Sequence, residues 1–303
     1  MLDQWLTAWL DALRAKGVAE NTAARRRSQV VTALSEAGAQ EWEDLEPIRV
    51  RQALQARADR LDYNPTTYNA WLGSLQQFCR WVVRNGLAER SPLDALEKRN
   101  GQLDRRRQRR ALTEAEAANL VAVTAESPRP CKMSGPDRAW LYALMLNTGL
   151  RIGEARQLTA AWLLADGDNA YLVVPPEVSK HRCQDVIPLP ADFAIAFRKM
   201  MLASSNGVVF DIPATPSRMF RRDIRDANIE PCDGQGRVID LHALRHTYVT
   251  NLVRTGAHPK VVQQLARHSS ISLTMDVYSH VFGEESIKAV SGLPTILPRP
   301  PLL

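Results

Sequence analysis

The first apolar residues of this chain already limit it to a helix. Leu2, Trp5, Leu6, Trp9, Leu10 and Leu13 stand at i, i+3, i+4, i+7, i+8 and i+11, a single stripe along an α-helix and a pattern no strand can bury on one face. The same period returns after Asn64-Pro65, where Leu72, Leu75, Phe78, Cys79, Val82 and Val83 form a second stripe that Asn85-Gly86 ends. Between these, Gly17 closes the first helix and Asn21-Thr22 is read as the cap of another. In that helix Val30, Val31 and Leu34 face inward, and Pro47 to Leu61 reads as one more. Trp5, Trp9, Trp71 and Trp81 fall on apolar helical faces, so core packing is expected of them rather than base stacking.

From Ala111 the pattern starts afresh. Thr113 and Glu116 make a capping-box start for a helix to about residue 123. Asp137 to Asn147 is a helix with Trp140, Leu141, Leu144 and Met145 inward, broken by Thr148-Gly149. Residues 190–201 and 216–226 are also read as helical. Two short apolar runs break the helical rule, Tyr171–Val174 and Asp185–Leu189, and they read as strands around a polar connection. The expected fold class is therefore mainly α with a small β-sheet.

Charge divides the chain where the periodicity does. Residues 1–100 hold 14 Lys and Arg against 13 Asp and Glu, whereas 101–112 hold five Arg against one Asp. The excess lies in Arg105, Arg106, Arg107, Arg109 and Arg110. Such a run suits a connector that is either solvated or laid against a polyanion. The expected organisation is a helical domain at 1–100, a basic linker at 101–112, a second domain at 113–282 and a tail at 283–303. Arg25, Arg26 and Arg27, at the start of the second helix, are further candidates for phosphate contact. No run of about 18 apolar residues is present, and the first helix lacks the basic start and apolar core of a signal peptide, so a cytoplasmic protein is expected. Cys79, Cys131, Cys183 and Cys232 form no CxxC pair, which leaves no disulfide framework or zinc ribbon to expect.

The chemistry concentrates near the C-terminus. His242 and Arg245 are three apart and share a helical face, His268 follows, and Tyr278 comes ten residues later. An imidazole beside a guanidinium suits an anion, and a guanidinium fork fits phosphate oxygens best. Arg151 stands where Thr148-Gly149 presents the start of another helix, a second place for an anion. A tyrosine beside such a cluster has the means to attack a phosphodiester, since its phenol needs nearby cations to become a nucleophile. His242-xxx-His246 has the i,i+4 spacing of zinc ligands but lacks the HExxH glutamate and an evident third ligand, so no metal and no cofactor are expected.

Taken in order, Arg151, Lys180, His242-x-x-Arg245, His268 and Tyr278, with Thr-Gly-Leu-Arg151-Ile-Gly-Glu154 and Ser179-Lys180, resemble the catalytic domain of the tyrosine recombinases, the phage integrase family. The resemblance implies a SAM-like helical core-binding domain that clamps DNA, followed by an α+β catalytic domain. It makes Tyr278 the nucleophile, Arg151 and Arg245 the clamp on the phosphoryl oxygens, and His268 a further donor to them. Lys180, on a β-hairpin, would protonate the departing 5′ oxygen, His242 would accept a proton, and Glu154 would buttress the cations. It implies a site-specific recombinase or integrase of a mobile genetic element, forming a 3′-phosphotyrosyl link without metal or ATP. Its partner would be double-stranded DNA, held by a homo-tetramer on paired sites, with room for accessory DNA-bending proteins. The tail at 283–303 would dock on a neighbouring protomer or fold on its own domain.

One position departs from the family pattern. Where Leu-Gly-His is usual, this chain has Leu265-Ala266-Arg267-His268. The arginine either changes the local backbone or adds a phosphate contact. Two alternatives remain: a type IB topoisomerase-like enzyme that relaxes DNA as a monomer, and a DNA-binding architectural factor without catalysis.

Overall fold

The computed structural model describes residues 2–101, 108–128, 132–166, 169–179, 182–202 and 207–281. The chain divides into two compact units, Met1–Arg106 and Arg107–Leu303.

The first unit is built on four helices, α1 (Leu2–Ala15), α2 (Glu20–Glu36), α3 (Pro47–Arg60) and α4 (Pro65–Arg84), with a short 3-10 turn at Trp42–Asp44. The longest, α4, starts where Asn64 accepts the N–H of Thr67 and Pro65 takes the first helical position, the arrangement in which proline loses no hydrogen bond. Its Leu72, Leu75, Phe78, Cys79 and Val82 are fully buried against Leu6, Trp9, Val30 and Leu54 of the other three. Each large apolar side chain so buried contributes roughly 1.5–3 kcal/mol relative to exposure. Trp9 and Trp71 lie in this core, and Trp5 and Trp81 pack on its rim. Two expectations fail here. The α2 helix begins at Glu20 behind Ala19, with no side-chain cap, so Asn21 and Thr22 lie inside its first turn. Val31 is exposed while Val30 and Leu34 are buried, because the stripe of α2 runs through Ala23, Val30, Ala33 and Leu34.

In the second unit, α5 (Glu114–Ala125) carries the Thr113–Glu116 capping box with both reciprocal bonds. The α6 helix (Gly135–Thr148) starts two residues earlier than read, from the Ser134 cap, and its Trp140 is only half buried. Gly149 ends it at φ +60, and a one-turn helix α7 (Ile152–Ala155) follows. The sheet holds three antiparallel strands in the order β1 (Leu163–Asp166), β2 (Asn169–Val174), β3 (Asp185–Leu189). Leu172 faces Leu163 on one side and Ile187 on the other. Pro188 is accommodated because β3 is an edge strand, where a missing N–H costs no ladder bond. Leu172, Val174, Ile187 and Leu189 turn one face of the sheet into the main core beneath α6 and α8 (Ala191–Leu202).

The rest is helical: α9 (Pro216–Asp226), α10 (Leu241–Arg254), α11 (Pro259–Leu265) and α12 (Ile271–Val281). Within the core, the guanidinium of Arg138 on α6 donates to both oxygens of Asp223 on α9, at 3.0 and 3.2 Å, and Tyr142 donates to the same carboxylate at 2.6 Å. The last three helices share their own apolar cluster of Tyr248, Val249, Val253, Val262, Ala266 and Val277, with the ring of Tyr278 packed against it. Among the described residues no helix is long and apolar enough to cross a membrane.

Candidate active site

Three elements bring the cations together: the turn after α6, the start of α10 and the turn between α11 and α12. Asp240 caps α10 by accepting the N–H groups of His242 and Ala243 at 3.0 and 3.1 Å. Burial opposes ionisation of Asp240, but a fork from Arg109, at 2.8 Å to each oxygen, holds its pKa below the usual range. From this start the helix directs His242 outward and Arg245 inward.

Arg245 is 5% exposed. Its guanidinium donates to the backbone oxygens of Gly149 and Ala266, so both turns grip it. Burial, with Arg151 and Arg267 nearby, pushes its pKa down to about 9. The same environment acts on the histidines. Burial and then Arg245, Arg151 and Arg267 push His268 down to about 4, while its Nδ1 lies 3.0 Å from the Thr274 hydroxyl. Partial burial beside Arg109 and Arg245 lowers His242 as well. Both imidazoles are therefore neutral near pH 7, which fits them to hydrogen-bond a phosphate or take up a proton.

Arg151 caps α7 and remains partly open, with 23% of its side chain exposed. Its guanidinium donates to Glu154 at 2.9 Å, and its own N–H donates to the other oxygen of the same carboxylate at 2.9 Å. The backbone N–H of Arg151 is thus taken by the chain's own glutamate, while its guanidinium remains partly open. Gly149 is fixed here twice over. Its φ is positive, and a Cβ would run into the Tyr248 ring. Gly149→Ala should therefore destabilise the protein by at least about 2 kcal/mol in urea unfolding, and it should move the carbonyl that anchors Arg245.

Arg267 resolves the departure noted in the sequence. Its φ is +52, the left-handed region that glycine occupies freely, so the arginine adopts a glycine-like backbone. Its side chain turns inward. It is buried, with Nη1 2.8 Å from Glu154 Oε2 and Nη2 donating to the Gly149 oxygen at 3.1 Å.

Tyr278 lies on α12, half buried, and burial raises its pKa. Its hydroxyl donates to the backbone oxygen of Ala257, in the loop before α11. Lys180 lies outside the described residues, as do Arg105, Arg106, Arg107 and the 283–303 tail. Arg109 is engaged with Asp240 and Arg110 with Glu116 at 2.7 Å. In the first unit, Arg25 and Arg26 line a cleft of about 830 Å³ that also takes in Lys16, Arg80, Arg84 and Lys98, with no acidic residue in its lining. Arg27 on the same helix is half buried and lies outside that lining. Among the described residues, no group of three or more His, Cys, Asp or Glu is placed to hold a metal ion.

A family model described as the phage integrase family matches residues 110–285, more than half of the chain. The chain belongs to the phage integrase family. A tyrosine recombinase of Thermosipho africanus is 28% identical over 240 residues, covering 75% of this chain and 76% of that one. The tyrosine recombinase XerC of Neisseria meningitidis serogroup B is 27% identical over 285 residues, covering 90% and 89%. The fold is that of a lambda integrase solved as a dimer bound to a COC′ core site, with TM-score 0.69 at 19% identity over 91% of this chain and 77% of that one. It is also that of the Tn1549 transposon integrase solved with transposon right end DNA, with TM-score 0.68 at 16% identity over 95% and 98%.

In this integrase-family domain, sequence reasoning missed Asp240 and Ala257, and it singled out Arg109 only as part of the basic run that suits a polyanion. Asp240 and Arg109 form a pair 131 positions apart, and Ala257 contributes only a backbone oxygen. A charge opposite Arg109 could have been sought, but nothing in a sequence marks Ala257.

Proposed function

We propose that this chain is a site-specific DNA recombinase that cleaves and rejoins duplex DNA through a 3′-phosphotyrosyl intermediate, without metal or ATP. The observation that carries the reading is the convergence of Arg151, Arg245 and His268 on two turns, with Tyr278 on the helix that follows the second. Fixed guanidinium and imidazole donors of this kind stabilise charge on a phosphoryl group as it is attacked.

In this mechanism the Tyr278 oxygen attacks phosphorus, its proton passes to neutral His242, and the 5′ oxygen leaves with a proton from Lys180. The bond from Tyr278 to Ala257 is given up as the phenol turns to the phosphate. A 5′-hydroxyl then attacks the phosphotyrosine, the tyrosine oxygen leaves, and a new phosphodiester forms with no net energy input.

DNA is the proposed partner, engaged in the first unit through the basic cleft containing Arg25 and Arg26. That unit is nearly neutral in sum, yet six of its cations line this one cleft. Relatives in fold were solved as a dimer on a core site and as a tetramer on a Holliday junction, which favours a tetramer on paired sites here. Circular DNA carrying one or two copies of the site flanking the gene tests the reading. Two-site circles should give resolved or inverted products. Relaxation of one-site circles without recombinants would instead assign a type IB topoisomerase-like activity.

A further inference from the structure

The turn at Ala266–Arg267 does more than precede His268. Its two backbone oxygens receive the catalytic guanidiniums, Ala266 that of Arg245 and Arg267 that of Arg151 at 3.4 Å. Any residue at 267 supplies that carbonyl. Only an arginine also reaches back: its guanidinium meets Glu154 at 2.8 Å and the Gly149 oxygen at 3.1 Å. It lies 3.8 Å from Asp185 as well, whose carboxylate accepts the Ser179 hydroxyl at 2.9 Å. One buried side chain, 3% exposed, thus joins the turn after α6, the turn before α12 and the first residue of β3.

We infer that Arg267 is a positioning residue for strand cleavage, tying Glu154, and through it Arg151, to the turn that holds Arg245 and His268. The inference rests on the strand-transfer reading above. Arg267 touches no DNA in this scheme. It fixes the spacing between two turns whose carbonyls aim the phosphate-binding arginines, and small misplacement of such groups slows chemistry without weakening binding. A lysine keeps the charge but, as a single ammonium, cannot span Glu154 and the Gly149 oxygen in the same fork.

The test compares wild type, Arg267→Gly and Arg267→Lys in the full chain on a nicked suicide duplex, at saturating protein. Arg267→Gly should bind DNA within about threefold of wild type but cleave at least about tenfold more slowly in a single turnover. Arg267→Lys should fall between them, and millimolar guanidinium should restore part of the rate to the glycine variant alone. An unchanged cleavage rate overturns the inference. Weakened binding with an intact saturated rate also overturns it, because the arginine would then be a DNA contact.

Thermal melting of Arg267→Gly, Glu154→Gln and the double variant decides the tie without catalysis. Non-additive shifts support it, and additive shifts overturn it. Should wild type form no adduct on any substrate, the strand-transfer reading falls, and this cycle still decides whether the tie exists.

Discussion

Tyr278→Phe should abolish the covalent protein–DNA adduct on a nicked suicide duplex, a loss of at least about 10³-fold, while DNA affinity stays within about twofold. The substitution removes one oxygen and leaves the ring packed against the cluster of Val249, Val253 and Val277. The hydrogen bond lost with it, to the Ala257 oxygen, costs stability on the order of 1 kcal/mol. A folded, DNA-binding variant without an adduct would therefore isolate the nucleophile. In the wild type the adduct should block digestion from the 3′ end of the cleaved strand and leave its 5′ end open. A persistent adduct in the phenylalanine variant would place the nucleophile elsewhere and remove the basis of the mechanism.

Glu154→Gln should have the largest effect on stability. Glu154 is 3% exposed and receives Arg151 through both side chain and backbone and Arg267 through its guanidinium. A glutamine of the same shape leaves two guanidiniums facing a neutral amide, with Arg245 close by. Breaking a buried pair in this way costs about 3–5 kcal/mol, or roughly 6–20 °C in Tm for a domain of this size.

The pH dependence follows from the same contacts. Burial opposes ionisation of Glu154, but Arg267 and Arg151 prevail and hold its pKa below the unfolded value, which is about 4.3. Its stabilisation is complete above that value and disappears as pH falls through the folded pKa. Wild type and variant should differ most near neutral pH and converge as the solution becomes more acid. Equal acid sensitivity in the two would show that Glu154 is not the group titrating.

Much of the architecture was legible because local signals agreed with tertiary ones. The capping box of Thr113 and Glu116, the Asn64-Pro65 start and the stripe from Leu72 to Val82 each specify an element that packing also favours. The β1 strand was not legible. Leu163 to Asp166 follows Ala160-Ala161-Trp162, a sequence with no strand pattern of its own, and it is extended because β2 offers it a ladder. Asp223, in a charged segment of α9, reads as surface but is buried by Arg138. At the site the residues proposed for catalysis could be picked out in order along the chain. The backbone oxygens of Gly149, Ala257 and Ala266 that orient them could not, since every residue carries one.

The arginine run that looks like a loose connector also changes where the second unit begins. Residues 108–110 pair with Val238 through backbone bonds, Val238 N–H to the Gln108 oxygen at 2.8 Å and Arg110 N–H to the Val238 oxygen at 3.2 Å. Arg109 then locks the Asp240 cap of α10. A catalytic fragment trimmed to residue 111, or a protease cut after Arg109, would remove this latch from the helix that carries His242 and Arg245. Residues 108–110 therefore belong structurally to the second unit, and they brace the start of the helix that carries both residues.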